Sequence, residues 1–343
     1  MRASLKDIAE KLKLSKTTVS WVLSGQAEKK GISEVTAKRV MEYAKSLNYQ
    51  PNLIARSLNT GETKTVGLII PSISDSFYSE VAREIEEEAR NNGYSLMISS
   101  SESDVDREEE IIKLFKAKGV DGIIIAPTKR SKVEIQRLID EPYPLVTIDR
   151  YFPELDASYI IINNRDSSYM LTKHLINKGC KKIALLTTNP HLTTMNQRRE
   201  GFEDAQRESG LRLNPNLCGV VDYVDYEKNI YNVLDNIFAQ VPDVDGFFFA
   251  THILALEAFQ YFNDKGIKPD FEMGSIHESP IFKILAPKMN VARMPIEEIG
   301  KNAVELLVEK MHCVKKIKKG KKAKNQEEKC KSLVLSCSLE FRS

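Results

Sequence analysis

Apolar residues recur at helical spacing from the start of the chain. Leu5, Ile8, Ala9 and Leu12 form one stripe; Leu14 follows, then Val19, Val22 and Leu23 form a second. Ser4 with Asp7 three residues later reads as a capping box, and Ser15 is placed to cap the next helix. Two short helices with one small core leave the outer face of the second free, and that face carries Lys16, Thr17, Ser20 and Trp21. This is a helix-turn-helix pattern, although a plain two-helix corner shares the same periodicity. Ser33 to Leu47 reads as a third amphipathic helix whose Val35, Val40, Ala44 and Leu47 could close the core. Leu53 to Leu58 reads as a short helical segment that Pro51 can start and Gly61 can stop.

After a linker at Gly61 to Thr65 the pattern changes. Near-continuous apolar runs alternate with amphipathic stretches: Val66 to Ile70, Leu96 to Ile98, Gly122 to Ile125 and Leu145 to Ile148 read as strands. Helices are expected at Phe77 to Asn92, Arg107 to Lys118 and Lys132 to Asp140. A second round begins near Tyr159 to Asn163. Its helices are expected at Ser167 to Lys178, Gln197 to Ser209, Glu227 to Ala239 and Leu254 to Lys265. Its strands are Ile183 to Leu186, Gly219 to Val221, Gly246 to Phe249 and Glu272 to Ser275. Fully apolar strands between helices predict parallel sheets covered on both faces. Two consecutive open α/β units make a cleft, and ligands bind such sheets outside the carboxyl ends of their strands.

Charge sharpens this division. Residues 1–60 hold eleven Lys/Arg against five Asp/Glu, while the whole chain nets only +2, so a basic head precedes an acidic body. One segment breaks the alternation: Lys315 to Lys331 contains nine lysines and two glutamates. It reads as a solvated loop before a final strand at Leu333 to Leu335, with an auxiliary contact to DNA phosphates as the alternative. The 343 residues suffice for two or three domains. The N-terminus lacks an apolar signal core and no apolar run reaches membrane-spanning length, so a cytoplasmic protein is expected. Cys180, Cys218, Cys313, Cys330 and Cys337 are scattered, without a Cys-x-x-Cys pair, and read as free thiols; no cofactor and no metal is expected.

The run KDIAEKLKLSKTTVSWVL, followed by ISEVTAKRVMEYAKSLNYQPNLIARSLNTGETKTVGLIIP, resembles the LacI/GalR family of bacterial transcription regulators, collinearly to the closing LEFRS. The resemblance implies an α/β protein with an N-terminal all-α helix-turn-helix head at 1–50 and a hinge helix and linker at 51–61. A two-lobed periplasmic-binding-protein-like core with parallel sheets would fill 62–343. Lobe one would take about 62–163 and 293–329, and lobe two about 164–292 and 330–343, with crossings near Asn163, Arg293 and Cys330. It further implies a homodimer on double-stranded operator DNA, probing no membrane, whose cleft takes a small sugar-like effector.

By the same resemblance, Lys16, Thr17 and Trp21 would read bases, with Ser20 on the same face, and Ser15, Ser24 and Ser33 would touch phosphates. Trp21 stands where the family most often has Arg. Arg grips guanine bidentately, whereas indole offers one donor and an apolar face. Leu58 would wedge into the minor groove, with Ala55 allowing close approach of paired hinges and Asn52 at the hinge start. In the cleft the expected effector set is Asp75, Phe77, Tyr78, Asp149, Arg150, Asn163, Asp166, Arg198, Tyr223, Thr251, His252 and His277. Aromatic faces plus charged and amide groups suit a sugar. Thr251-His252 and His277 stand where the family tends to have amide and carboxylate groups, which points to an acidic or unusual sugar. The rival readings are a ligand-binding module without a DNA role and an α/β enzyme acting on a sugar. Against the enzyme, the sequence holds no Gly-x-Gly-x-x-Gly after a strand, no phosphate loop, no Gly-x-Ser-x-Gly and no His-Glu-x-x-His.

Overall fold

The computed structural model describes residues 4–50, 57, 58, 60–188, 193–222, 226–318 and 330–342. Most of the expected hinge, including Asn52 and Ala55, lies outside them, as do Tyr223 and most of the lysine-rich segment. The chain divides into two compact units, Met1–Thr63 and Lys64–Ser343.

In the first unit, α1 (Leu5–Leu12), α2 (Lys16–Leu23) and α3 (Glu34–Ser46) share one core of Ile8, Ala9, Val19, Val22, Val40 and Ala44. Ser4 and Asp7 cap α1 reciprocally, Ser4 N donating to Asp7 Oδ2 at 2.8 Å and Asp7 N to Ser4 Oγ at 3.3 Å. The turn between α1 and α2 is made by Lys13 in the left-handed region, with φ 52°. Ser15 and Ser33 cap the two later helices through Thr18 N and Thr36 N. Val35 does not close the core, being 72% exposed. It lies five residues before Val40, about 140° around the helix from the inward stripe of Val40, Ala44 and Leu47.

The second unit holds two six-stranded sheets. Lobe one is built on β1 (Thr65–Ile70), β2 (Ser95–Ser100), β3 (Ile123–Ile125), β4 (Leu145–Ile148), β5 (Ser158–Ile162) and β11 (Ser332–Leu335). Its order, β11-β5-β4-β3-β1-β2, is parallel throughout. Lobe two is built on β6 (Ile183–Thr187), β7 (Cys218–Val220), β8 (Gly246–Phe249), β9 (Glu272–Ile276), β10 (Asn290–Arg293) and β12 (Ser338–Glu340). Its order is β12-β10-β9-β8-β6-β7, with only β12 antiparallel. Strands such as β3, β4 and β8 are buried along their whole length, as covered parallel sheets require.

The helices that matter for the site follow the strands. α4 (Ser76–Asn91) leaves β1, α7 (Asn164–Asn177) leaves β5, α8 (Thr193–Glu208) follows β6, and α10 (His252–Asp264) leaves β8. α12 (Ile296–Lys318) returns the chain to lobe one. The chain leaves lobe one after β5, at Asn163, and returns to it after β10, just past Arg293. The third crossing does not fall near Cys330. β11 pairs with β5, Ser332 opposite Tyr159 and Leu335 opposite Ile162, so residues 332–335 belong to lobe one. The crossing comes at 336–337, where Cys337 N donates to Asn163 Oδ1 at 3.0 Å. β12 is three residues long and half polar, leaving no periodic signal to separate it from β11.

Candidate functional site

Two regions carry the candidate residues. On the head, Ser15, Lys16, Thr17, Ser20, Ser24 and Ser33 are exposed and Trp21 is half-buried. Lys30 Nζ lies 5.0 Å from the centre of the Trp21 ring, so a cation covers one face of the indole. The serine hydroxyls are already engaged: Ser15 and Ser33 in capping, Ser24 in donating to the Trp21 carbonyl at 3.2 Å. What α2 and α3 offer an anion at these ends is therefore their first backbone N–H groups and the positive end of each helix dipole. Leu58 is 82% exposed and takes no part in the head's core.

In the second unit, nine of the expected effector residues line one cavity of about 60 Å³ between the lobes: Asp75, Phe77, Tyr78, Asp149, Arg150, Arg198, Thr251, His252 and His277. It opens beside a wider outer cleft of about 640 Å³ that shares Asp75, Arg150 and His252. The convergence has a topological cause, since these residues follow the C-terminal ends of β1, β4, β8 and β9 or stand on α8.

Arg198 sits on α8, which begins at Thr193, four residues before the expected start at Gln197. The TTMN stretch is weakly helical by propensity and is carried by packing. The guanidinium is 3% exposed; Nε donates to Asn164 Oδ1 at 2.8 Å and Nη1 to the Ala250 carbonyl at 2.7 Å. Burial opposes its charge and Asp149 supports it. Gly201 makes the approach of α8 to α7 possible: a Cβ there would meet the Arg165 carbonyl oxygen at 2.0 Å.

Asp149 is held in the left-handed region, with φ 59°. Its Oδ2 accepts from Tyr78 OH at 2.7 Å, and its carbonyl from Thr194 Oγ1 at 2.8 Å across the lobes. Burial holds the Tyr78 phenol well above its ordinary range, so it stays a donor. Asp75 caps α4, taking Phe77 N at 2.9 Å. His277, also left-handed at φ 68°, is 4% exposed, and neither ring nitrogen has a hydrogen-bond partner among the described residues. Burial first, then the neighbouring His252, pushes it down to about 3, so it is neutral at any working pH. A neutral imidazole offers one donor and one acceptor to whatever enters.

Two expected residues are not brought to the cavity. Asn163 ties the first and third crossings together, its Oδ1 accepting from Ser167 Oγ at 2.8 Å and from Cys337 N. Asp166 is exposed in the first turn of α7, where its charge favours the helix N-terminus. Tyr223 lies outside the described residues. Sequence reading missed Asn164, the partner of Arg198, one position from the asparagine it named. It also missed Thr188, Thr194, Met195, Ile276 and Met294, whose apolar or small side chains carry no mark that separates a cavity wall from core. Among the described residues no cluster of three or more His, Cys, Asp or Glu is placed to hold a metal, and no helix is long and apolar enough to cross a membrane.

Residues 4–52 match the family of bacterial regulatory proteins of lacI type, and residues 66–285 match the periplasmic binding protein domain. The ribose operon repressor of Haemophilus influenzae is 29% identical over 343 residues, covering 99% of this chain and 98% of that protein. In fold, the lac repressor dimer bound to operator and an anti-inducer superposes with a TM-score of 0.80 at 19% identity, covering 100% of this chain and 98% of that one. The transcriptional regulator CelR in complex with cellobiose gives 0.69 at 22% identity, covering 99% of each. A capped helix-turn-helix head, a two-lobed core closing on a buried arginine, and matches that run through both place the chain in the LacI family of bacterial regulatory proteins: it is a DNA-binding transcription regulator, not an enzyme.

Proposed function

We propose that this regulator is a cytoplasmic repressor that binds its operator as a homodimer and is controlled by a small sugar-like effector held between the lobes. The observation that carries the effector reading is Arg198, a buried guanidinium fixed by Asn164 and the Ala250 carbonyl at the wall of an interlobe cavity. A buried charge with a shifted pKa at the wall of a cleft marks a candidate binding group. Asp149 and Asp75 are already engaged, by Tyr78 and by Phe77 N with His252, so the carboxylates are partly spoken for. Arg150, Arg198 and neutral His277 then favour a sugar carrying an acid or phosphate group over a plain hexose. Coupling follows if the effector prefers one lobe arrangement, because equal affinity for two arrangements shifts neither.

On the head, Lys16, Thr17, Ser20 and Trp21 would face base edges, and Leu58 with Asn52 and Ala55 would form the hinge that enters the minor groove. The test is a thermal-shift screen of sugars, sugar acids and sugar phosphates, repeated on Arg198→Ala. The expected outcome is a hit whose affinity falls at least tenfold in the variant. A hit that survives unchanged would put the site elsewhere.

A further inference from the structure

His252 has partners on both lobes. It is the first residue of α10, in lobe two, yet its Nε2 hydrogen-bonds Ser76 Oγ at 3.0 Å and lies 3.4 Å from Asp75 Oδ1, both in lobe one. The imidazole and the Asp75 carboxylate are almost fully enclosed, with side-chain exposures of 5% and 10%. The His252 ring meets His277 edge-on, centres 5.0 Å apart, and His277 meets Phe77 edge-on at 5.5 Å. The contact therefore runs from lobe one to lobe two and back.

The electrostatics of the meeting make this contact consequential. The N-termini of α4 and α10 meet here, and each carries the positive end of a helix dipole. The Asp75 carboxylate stands between them. It already caps α4 through Phe77 N, and His252 Nε2 is the atom by which lobe two reaches it. α4 is not free to adjust alone: α12 packs on it so closely that a Cβ at Gly300 would lie 2.5 Å from Glu84 Cβ. A shift passed through Asp75 and Ser76 to α4 would therefore meet α12 as well.

We infer that His252 is a positioning residue that sets how far the lobes close and thereby couples the cleft to DNA affinity. This rests on the reading of the cavity as the regulatory site. The residue acts through Asp75 and Ser76, so a donor of similar reach should replace it, whereas a residue that merely fills space should not.

Hydrogen exchange on the full chain reads the contact without any ligand. In His252→Ala, the first-turn amides of α4 and α10 should exchange at least tenfold faster than in wild type, with β3 and β8 unchanged. His252→Gln should return those amides to within about threefold, because its amide can donate to Ser76 or Asp75. Unchanged exchange in His252→Ala, acceleration spread through both sheets, or failure of the Gln rescue would overturn the assignment. A second arm measures binding to DNA from upstream of the protein's own gene, at fixed salt. His252→Ala should alter that affinity at least threefold and His252→Gln should restore it. Faster exchange with unaltered DNA affinity would refute the coupling. A wild-type protein that binds this DNA no better than random DNA would instead refute the regulatory reading itself, leaving the exchange result to judge the contact.

Discussion

At the scale of single residues, the clearest consequence concerns a group outside the cavity. Glu108 is fully buried behind the cleft wall, where Oε2 accepts Thr128 N at 2.9 Å and Oε1 has no partner among the described residues. Burial raises it from 4.5 to about 7, against the opposing hydrogen bonds of Ser131 and Thr128 and the charge of Arg150. A folded-state value above the unfolded one means that the protonated form favours folding. The contribution, about 3 kcal/mol, is full below pH 4.5 and lost as pH rises through 7. Denaturant midpoints measured from pH 4 to 8 should show this loss in wild type and not in Glu108→Gln; parallel curves would show that the carboxyl is not proton-linked to folding. Leu58 gives a second test. Its exposed side chain, as a wedge, should be worth on the order of a few kcal/mol on specific DNA in Leu58→Ala and little on random DNA. Equal losses on both would remove the wedge role. Residue identity was only partly legible in the sequence. Asp149 announces itself as a charge beside a strand end and Arg198 as a charge on an expected helix, but nothing in the letters distinguishes Asn164, which holds the arginine, from Asn163, which ties the crossings.

At the scale of elements, the sequence was most informative where one face had to be apolar. The Ser4–Asp7 box, the helix Lys132–Asp140 and the strands Leu145–Ile148 and Gly246–Phe249 were readable from pattern alone. β12 was not, because three half-exposed residues leave no period to read, and the third crossing was displaced with it. The lysine-rich segment between α12 and β11 belongs to this scale. Lys315 to Lys318 end α12, and the remaining residues 319–331 carry six lysines and no apolar stripe, so deleting residues 319–329, with the flanking ends rejoined through a short Gly/Ser bridge, should leave the thermal midpoint of the core within a few degrees. As a solvated loop it should also leave the slope of log affinity against log salt unchanged. A slope shallower by several units would show that these lysines displace counterions from DNA and would reject the loop reading. Loss of folding would reject both.

At the scale of the whole molecule, a basic head on an acidic two-lobed body separates the tasks of reading DNA and sensing a small molecule. The alternation of strands and helices was legible because parallel α/β units repeat so regularly, whereas the order of the strands within each sheet was not read from pattern and the crossings came only from the family resemblance. The cavity chemistry was less legible, since burial decides it: His277 is neutral first because it is enclosed, and neither of its ring nitrogens has a hydrogen-bond partner among the described residues. What joins the two tasks is the requirement that an effector bind one lobe arrangement better than another; a tenfold change in DNA affinity needs about 1.4 kcal/mol of such preference. The most direct measurement is a titration of DNA from upstream of the protein's own gene, at fixed salt, with and without a saturating hit from the sugar, sugar-acid and sugar-phosphate screen, on wild type and Arg198→Ala. The expected result is a wild-type affinity that shifts at least tenfold with the compound, and an Arg198→Ala protein that binds the DNA but no longer responds. A compound that binds wild type tightly and leaves its DNA affinity unmoved would contradict the effector-controlled mechanism.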